Sequence, residues 1–206
     1  MFEDDELDNN EGIRVHYTDE SAPHTISGYL KNNTDNSNVL LCIGTDRYIG
    51  DCLGPIVGTL LSKLDIWCPI YGTLENPVHA INLRKVICEI KHKYPKHSII
   101  AVDACLGTRE YVGMIHARQE PIYPGKGVGK KLPSVGDISI IGIVDSAESE
   151  KPNQDMDISD EMPDCCDTLP LHNIRLNFVM KMAEAITKGI YEAYKVNNNK
   201  KHGAKF

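Results

Sequence analysis

Two aspartates stand where this chain could carry out acid–base chemistry. Asp51 lies within CIGTDRYIGDCLGP (42–55), between a short apolar run and a segment of helical periodicity, and Asp103 ends the apolar run of SIIAVDA (98–104). Two carboxylates held close together cannot both ionise cheaply, so one of them keeps a proton. One member of such a pair can draw a proton from water while the other protonates a leaving group. Alternatively, both could hold a divalent metal that activates the water. Each residue alone has a plainer use, Asp51 as a helix N-cap and Asp103 as a polar strand end. Their convergence on one end of a sheet is what points to chemistry.

The residues around the pair refine this expectation. Gly44, Gly50 and Gly54 bracket Asp51, but the G-x-G-x-x-G dinucleotide fingerprint is absent. Glycines here let the backbone turn sharply and let a peptide approach closely, so Gly44, Thr45 and Gly54 are the expected substrate-binding positions. PGKGVGKK (124–131) departs from a phosphate-binding loop: Pro124 replaces the first glycine and Lys131 the Ser/Thr. It is expected to be a basic substrate-side loop, with Lys126 as its contact residue. His172, after Pro170 at the start of a periodic segment, could complete a metal site with Asp51 and Asp103. Cys52 adjoins Asp51, but no histidine lies nearby in sequence to activate it as a nucleophile.

The elements that must position these groups follow from periodicity. VLLCIG (39–44) is a short apolar run ending in glycine, the pattern of a buried parallel strand. Leu53, Val57, Leu60, Leu61 and Leu64 recur at helical spacing, with Pro55 in the first turn where its missing N–H is not needed. CPIYG (68–72) reads as a second strand, Pro77 to Lys93 as a second helix, and SIIAVDA as a third strand. This alternation predicts an α/β fold, a mostly parallel sheet with helices on both faces. Gly113–Arg118 and Asp137–Val144 extend the sheet, with room for an antiparallel member. Leu169 to Tyr194 predicts a long C-terminal helix. In such sheets ligands bind beyond the carboxyl ends of the strands, where Asp51 and Asp103 both fall.

Composition bounds the rest. The chain has 206 residues, enough for one sizeable core, and a net charge of −7, which argues against a dedicated nucleic-acid partner. Residues 39–194 are expected to form one domain, with an acidic surface insertion at 145–168. Residues 1–38 are expected to be a flexible polar arm with one docked segment near Ile26–Leu30, and residues 195–206 a flexible tail. The apolar runs are far shorter than the roughly 20 residues a bilayer requires, so no membrane association is expected. The acidic opening MFEDDELDNNEG lacks the charge pattern of a signal peptide, and the seven cysteines are an odd number without a Cys-x-x-Cys pair. Both features predict a cytoplasmic protein with free thiols.

The blocks CIGTDRYIGDCLGP, YGTLENPVHAINL (71–83), IIAVDACLG (99–107), PGKGVGKKLPSVGDISIIGIV (124–144) and NIRLNFVMKMAEAI (173–186) occur in an order that resembles the YyaC sporulation protein family. That family is in turn similar in fold to the germination protease of spores and to the hydrogenase maturation endopeptidases. The resemblance implies a three-layer α/β/α sandwich of phosphorylase/hydrolase-like type, and an endopeptidase that acts on a spore polypeptide. IGDCLGP and AVDA match the motifs of the germination protease, which uses an aspartate pair, so Asp51 and Asp103 carry over as catalytic and no cofactor is implied. Small acid-soluble spore proteins are then one substrate class. In the hydrogenase endopeptidases the matching acidic positions join a histidine in binding a metal, and His172 falls where that histidine would. His172 departs from the YyaC pattern, which has a glutamine there, and the acidic insertion is longer than that pattern. Two alternatives stay open on the sequence: a metal-dependent maturation endopeptidase, and a sporulation factor that binds peptide without cutting it.

Overall fold

The computed structural model describes residues 12–35, 37–66, 68–124, 133–146 and 174–202. Five segments follow the expected alternation. β2 (Asn38–Cys42) is buried along its whole length. α2 (Leu53–Leu61) follows it, then the short strand β3 (Ile70–Tyr71), then α3 (Leu83–Lys93), then β4 (Ser98–Gly107). β5 (Met114–Arg118), β6 (Ile138–Ser146) and α4 (Leu176–His202) complete the C-terminal part. Two elements precede them, β1 (Ile13–His16) and α1 (Ala22–Asn33).

The six strands form one sheet in the order β1-β5-β6-β4-β2-β3. β2 runs parallel to β3 and to β4, with Asn38 opposite Ser98 and Cys42 opposite Val102. β4 runs parallel to β6, whereas β5 is antiparallel to both β6 and β1. The sheet is therefore mixed but mostly parallel, as expected. From β2 the chain crosses outward to β3, then returns over β2 to β4. Right-handed crossovers taken in opposite directions place their helices on opposite faces.

Packing on the two faces agrees with this. Leu40, Cys42, Ile100 and Val102 pack with Leu53 and Val57 of α2, Ile26 and Leu30 of α1, and Met182 and Ile186 of α4. On the other face Val39, Leu41, Ile43 and Ile99 pack with Leu83, Ile87 and Ile90 of α3. The result is three layers, α/β/α. Each fully buried Ile or Leu in these clusters contributes on the order of 1.5–3 kcal/mol by leaving water.

Four expected boundaries need correction. The segment read as a polar arm carries β1, paired with β5 from Ile13↔Ala117 to His16↔Met114, and α1, which buries Ala22, Ile26, Tyr29 and Leu30. The folded body thus begins near residue 12, not 39, because Ala22, Ile26, Tyr29 and Leu30 form an apolar stripe against α4 despite their polar flanks. α3 begins at Leu83 rather than Pro77: Asn82 folds back on the preceding loop, and Val78 instead bridges Ile43 in parallel. Helix α4 continues by its backbone to His202, through most of the expected tail. Asp145 and Ser146, placed in the acidic insertion by sequence, are the last residues of β6. The remainder of that insertion, 147–168, lies outside the described residues, as do 1–11 and 203–206.

Candidate active site

β2 and β4 are hydrogen-bonded neighbours, and the chain leaves them in opposite directions: from β2 toward β3, and from β4 toward β5 and β6. Their carboxyl ends flank the point where an open α/β sheet leaves a crevice. Asp51 reaches this point on the 3₁₀ turn Ile49–Asp51 between β2 and α2, a turn that lies against β4. Asp103 reaches it from within β4, opposite Ile141 of β6. On β4 it shares the face of Ile99 and Ala101, on the α3 side of the sheet.

The turn carrying Asp51 is pinned by the end of β2. The Thr45 N–H donates to the Asp51 backbone carbonyl at 3.0 Å. Gly44 has a φ of +138°, and a Cβ on it would stand 2.0 Å from the same carbonyl oxygen. A Cβ on Gly54 would meet the Ile43 carbonyl oxygen at 2.1 Å, so the first turn of α2 lies directly on the strand end. At Gly44 and Gly54 the chain's own backbone fills the space a side chain would take. They are glycine because Asp51 must sit close to β2.

The two carboxyls differ in environment. Asp103 is 9% exposed, and its Oδ1 accepts the Ala104 N–H at 2.9 Å. Burial, and then the charge of Asp51, push its carboxyl well above the ordinary carboxylate range. Asp51 is half-buried. Burial raises it as well, but the Thr45 amide and the His79 side chain both pull it back toward ionisation. The structure thus brings the two sequence-derived aspartates together, with Asp103 the one pushed further toward its protonated form.

His79 went unnoticed in the sequence, because residues 77–82 read as the start of a helix and the histidine has no ligand spacing. It lies in the loop before α3, directly after Val78, whose carbonyl accepts the Gly44 N–H at 2.8 Å. The signal for it was local: Asn82 ends the loop, accepts the His79 N–H at 2.8 Å and donates to the Pro77 carbonyl at 2.9 Å. An Asn three residues after the histidine is a capping pattern, and it places the histidine outside the helix.

Cys52 is buried, and its Sγ donates to the Ile49 carbonyl at 2.9 Å. Burial raises its thiol, and the charges of Asp51 and Asp46 raise it further, so it is a packed thiol and a poor nucleophile. Several exposed apolar side chains stand on the segments around the crevice: Tyr48 (73% exposed) and Ile49 before Asp51, Ile81 (83%) beside His79, and Leu106 past Asp103. Lys126 and His172 lie outside the described residues.

A metal held by this site would need a third donor beside the two carboxylates. Among the described residues no group of three His, Cys, Asp or Glu side chains is placed to hold a metal ion. Also among the described residues, no helix is long and apolar enough to cross a membrane.

Residues 14–189 match the family described as "Protein of unknown function (DUF1256)". A protein of Bacillus subtilis (strain 168) named "Uncharacterized protein YyaC" is 39% identical over 181 residues, covering 85% of this chain and 80% of the relative. The matched span takes in all but the first residue of β1, the whole of α1 and both aspartates.

Proposed function

We propose that this chain, which belongs to the DUF1256 family and is similar to YyaC of Bacillus subtilis, is an endopeptidase that hydrolyses a peptide bond with the pair Asp51 and Asp103. The observation that carries this reading is the unequal pair. A buried Asp103 favours its proton, and it stands beside a half-buried Asp51 at the switch point of the sheet. Unequal acidity is what lets one carboxyl act as general acid while the other acts as general base.

In the reaction, Asp51 takes a proton from water as the water oxygen bonds to the peptide carbonyl carbon. Asp103 donates its proton to the carbonyl oxygen, giving a gem-diol. The C–N bond then breaks as the amine nitrogen takes the proton from Asp51 and a gem-diol hydroxyl returns one to Asp103. Both carboxyls end as they began. The exposed Tyr48, Ile49, Ile81 and Leu106 give the crevice an apolar rim suited to the side chains of an extended, unfolded polypeptide. Spore polypeptides, small acid-soluble spore proteins among them, are the first substrates to try. The reading needs no metal.

Incubation with unfolded polypeptides in H₂¹⁸O, followed by mass spectrometry, tests this. Hydrolysis places one ¹⁸O in each new C-terminal carboxylate. Saturable binding of the same polypeptides without any labelled product would support a peptide-binding protein instead.

A further inference from the structure

Asp103 is one end of a row of side chains that crosses the sheet. It stands opposite Ile141 of β6, Ile141 opposite His116 of β5, and His116 opposite Arg14 of β1. Residues directly opposite one another project from the same face, so His116 and Arg14 share the face of Asp103. Arg118, two residues beyond His116 on β5, falls on that face as well. α3 covers the face over β2 and β4, where it packs on Val39, Leu41 and Ile99. The β5–β1 edge carries the cationic side chains instead.

These side chains are held together. The Arg14 guanidinium lies over the Tyr111 ring, 5.7 Å from its centre, and that ring meets the His116 imidazole edge-on at 6.1 Å. Tyr111 comes from the 3₁₀ turn Arg109–Tyr111, which joins β4 to β5. The Arg118 side chain is 16% exposed and pairs with Glu120 at 3.3 Å. With Glu120 in place the imidazole still feels both guanidiniums: burial, then the charges of Arg14 and Arg118, hold His116 down at about 4. The ring is therefore neutral at neutral pH, and its Nε2 is buried without a hydrogen-bond partner among the described residues. A carboxylate placed here would meet two guanidiniums, whose planar forks match it, and would give Nε2 an acceptor.

We propose that Arg14, His116 and Arg118 form a subsite for a carboxylate of the polypeptide substrate. The inference rests on the endopeptidase reading and names the substrate class of that site, a chain with an acidic group at a set distance from the bond that is cut. Strands lie about 4.8 Å apart, so His116 stands roughly 10 Å from Asp103 along the row and Arg14 roughly 14 Å. An extended chain advances about 3.4 Å per residue, which sets the acidic group about three or four residues from the scissile bond. In a chain of net charge −7, a local positive patch also orients such a substrate.

The test uses the full chain and its Arg14→Gln and Arg14→Glu variants, since Arg14 is exposed and its replacement leaves the core intact. Once mass spectrometry has mapped a cleaved bond, peptides carrying Glu, Gln or Lys about three or four residues to either side of it are compared. Wild type should cleave the Glu peptide roughly tenfold better than the Gln peptide in kcat/KM, chiefly through KM. Arg14→Gln should bring that ratio to within about twofold of unity, and Arg14→Glu should favour Lys over Glu. A further pair, ending at that distance in a free carboxylate or an amide, tells a chain end from an acidic side chain. Preference for the free carboxylate supports the subsite as preference for Glu does. Equal cleavage of every peptide by wild type, or a Glu preference that survives in Arg14→Glu, overturns it. The endopeptidase reading fails separately, by cleavage of no peptide at all. In that event the ¹H–¹⁵N signals of the His116 ring are titrated with the Glu peptide. A saturable shift that Arg14→Glu abolishes keeps the subsite as a carboxylate-binding site, and an unshifted ring overturns it.

Discussion

Asp103 lies on β4 and Asp51 on the turn that follows its parallel neighbour β2, and the charge of Asp51 adds to burial in pushing the Asp103 carboxyl toward its protonated form. The relationship has a cost in stability that can be measured. A carboxyl whose folded-state pKa is raised above its unfolded value of about 3.8 favours folding below that value. That contribution is lost as pH rises through the raised pKa. The first prediction follows from this sign. Asp103→Asn removes the titration while keeping an acceptor for the Ala104 N–H. Its Tm should gain on wild type as pH rises from about 4 to about 8. Each kcal/mol relieved should appear as about 2–4 °C in a chain of this size. Thermal unfolding across that pH series checks it; a constant difference would remove the raised carboxyl from the account.

The second prediction concerns the turn that carries Asp51. Gly44→Ala places a methyl 2.0 Å from the Asp51 carbonyl oxygen, on backbone at φ +138° that a side chain rarely adopts. The substitution should cost about 2–3 kcal/mol, seen as a lower urea midpoint, and it should reduce cleavage beyond what instability explains. A neutral outcome would mean that the turn is free to move.

Helix α1 supplies the third. Ile26 is fully buried, and its side chain fills the space a Cβ on Gly189 would need in α4. Ile26→Ala should cost about 2–5 kcal/mol in equilibrium unfolding. A loss below about 0.5 kcal/mol would restore the N-terminal segment to a dispensable arm.

These three sites also show how much the sequence could say. β2 and β4 were legible because VLLC and IIAV are apolar without a break, the pattern of a strand buried on both faces. With them came the placement of Asp51 and Asp103, since any group that follows a parallel strand falls at the same edge. β1 was not legible. Its four residues, IRVH, alternate too briefly to register, and their burial comes from pairing with β5, about a hundred residues away. α1 was legible only as a docked segment near Ile26–Leu30; the polar KNNTDNSN, whose first three residues end the helix, hid its extent, although Ala22, Ile26, Tyr29 and Leu30 have helical spacing. His79 was hidden for a different reason. Its apolar neighbours Val78 and Ile81 mimic a helix start, yet Val78 is a sheet-edge bridge and Ile81 stands in solvent.

A fourth prediction separates Cys52 from the chemistry. Its thiol is raised by burial and by the adjacent carboxylates, so at neutral pH it should alkylate more slowly than a free cysteine. Cys52→Ala should leave cleavage within about threefold of wild type, since the thiol takes no part in proton transfer. Rapid alkylation coupled to loss of cleavage would make it a nucleophile.

The central claim is that Asp51 and Asp103 act as one unit on a peptide bond. The measurement closest to it is the rate of ¹⁸O-labelled product formation by wild type, Asp51→Asn, Asp103→Asn and the double variant, with folding of each confirmed by circular dichroism. The account predicts a loss of roughly a hundredfold or more in each single variant, and a double variant little worse than either. Undiminished product from both folded single variants, or losses that multiply in the double variant as for independent groups, would contradict it.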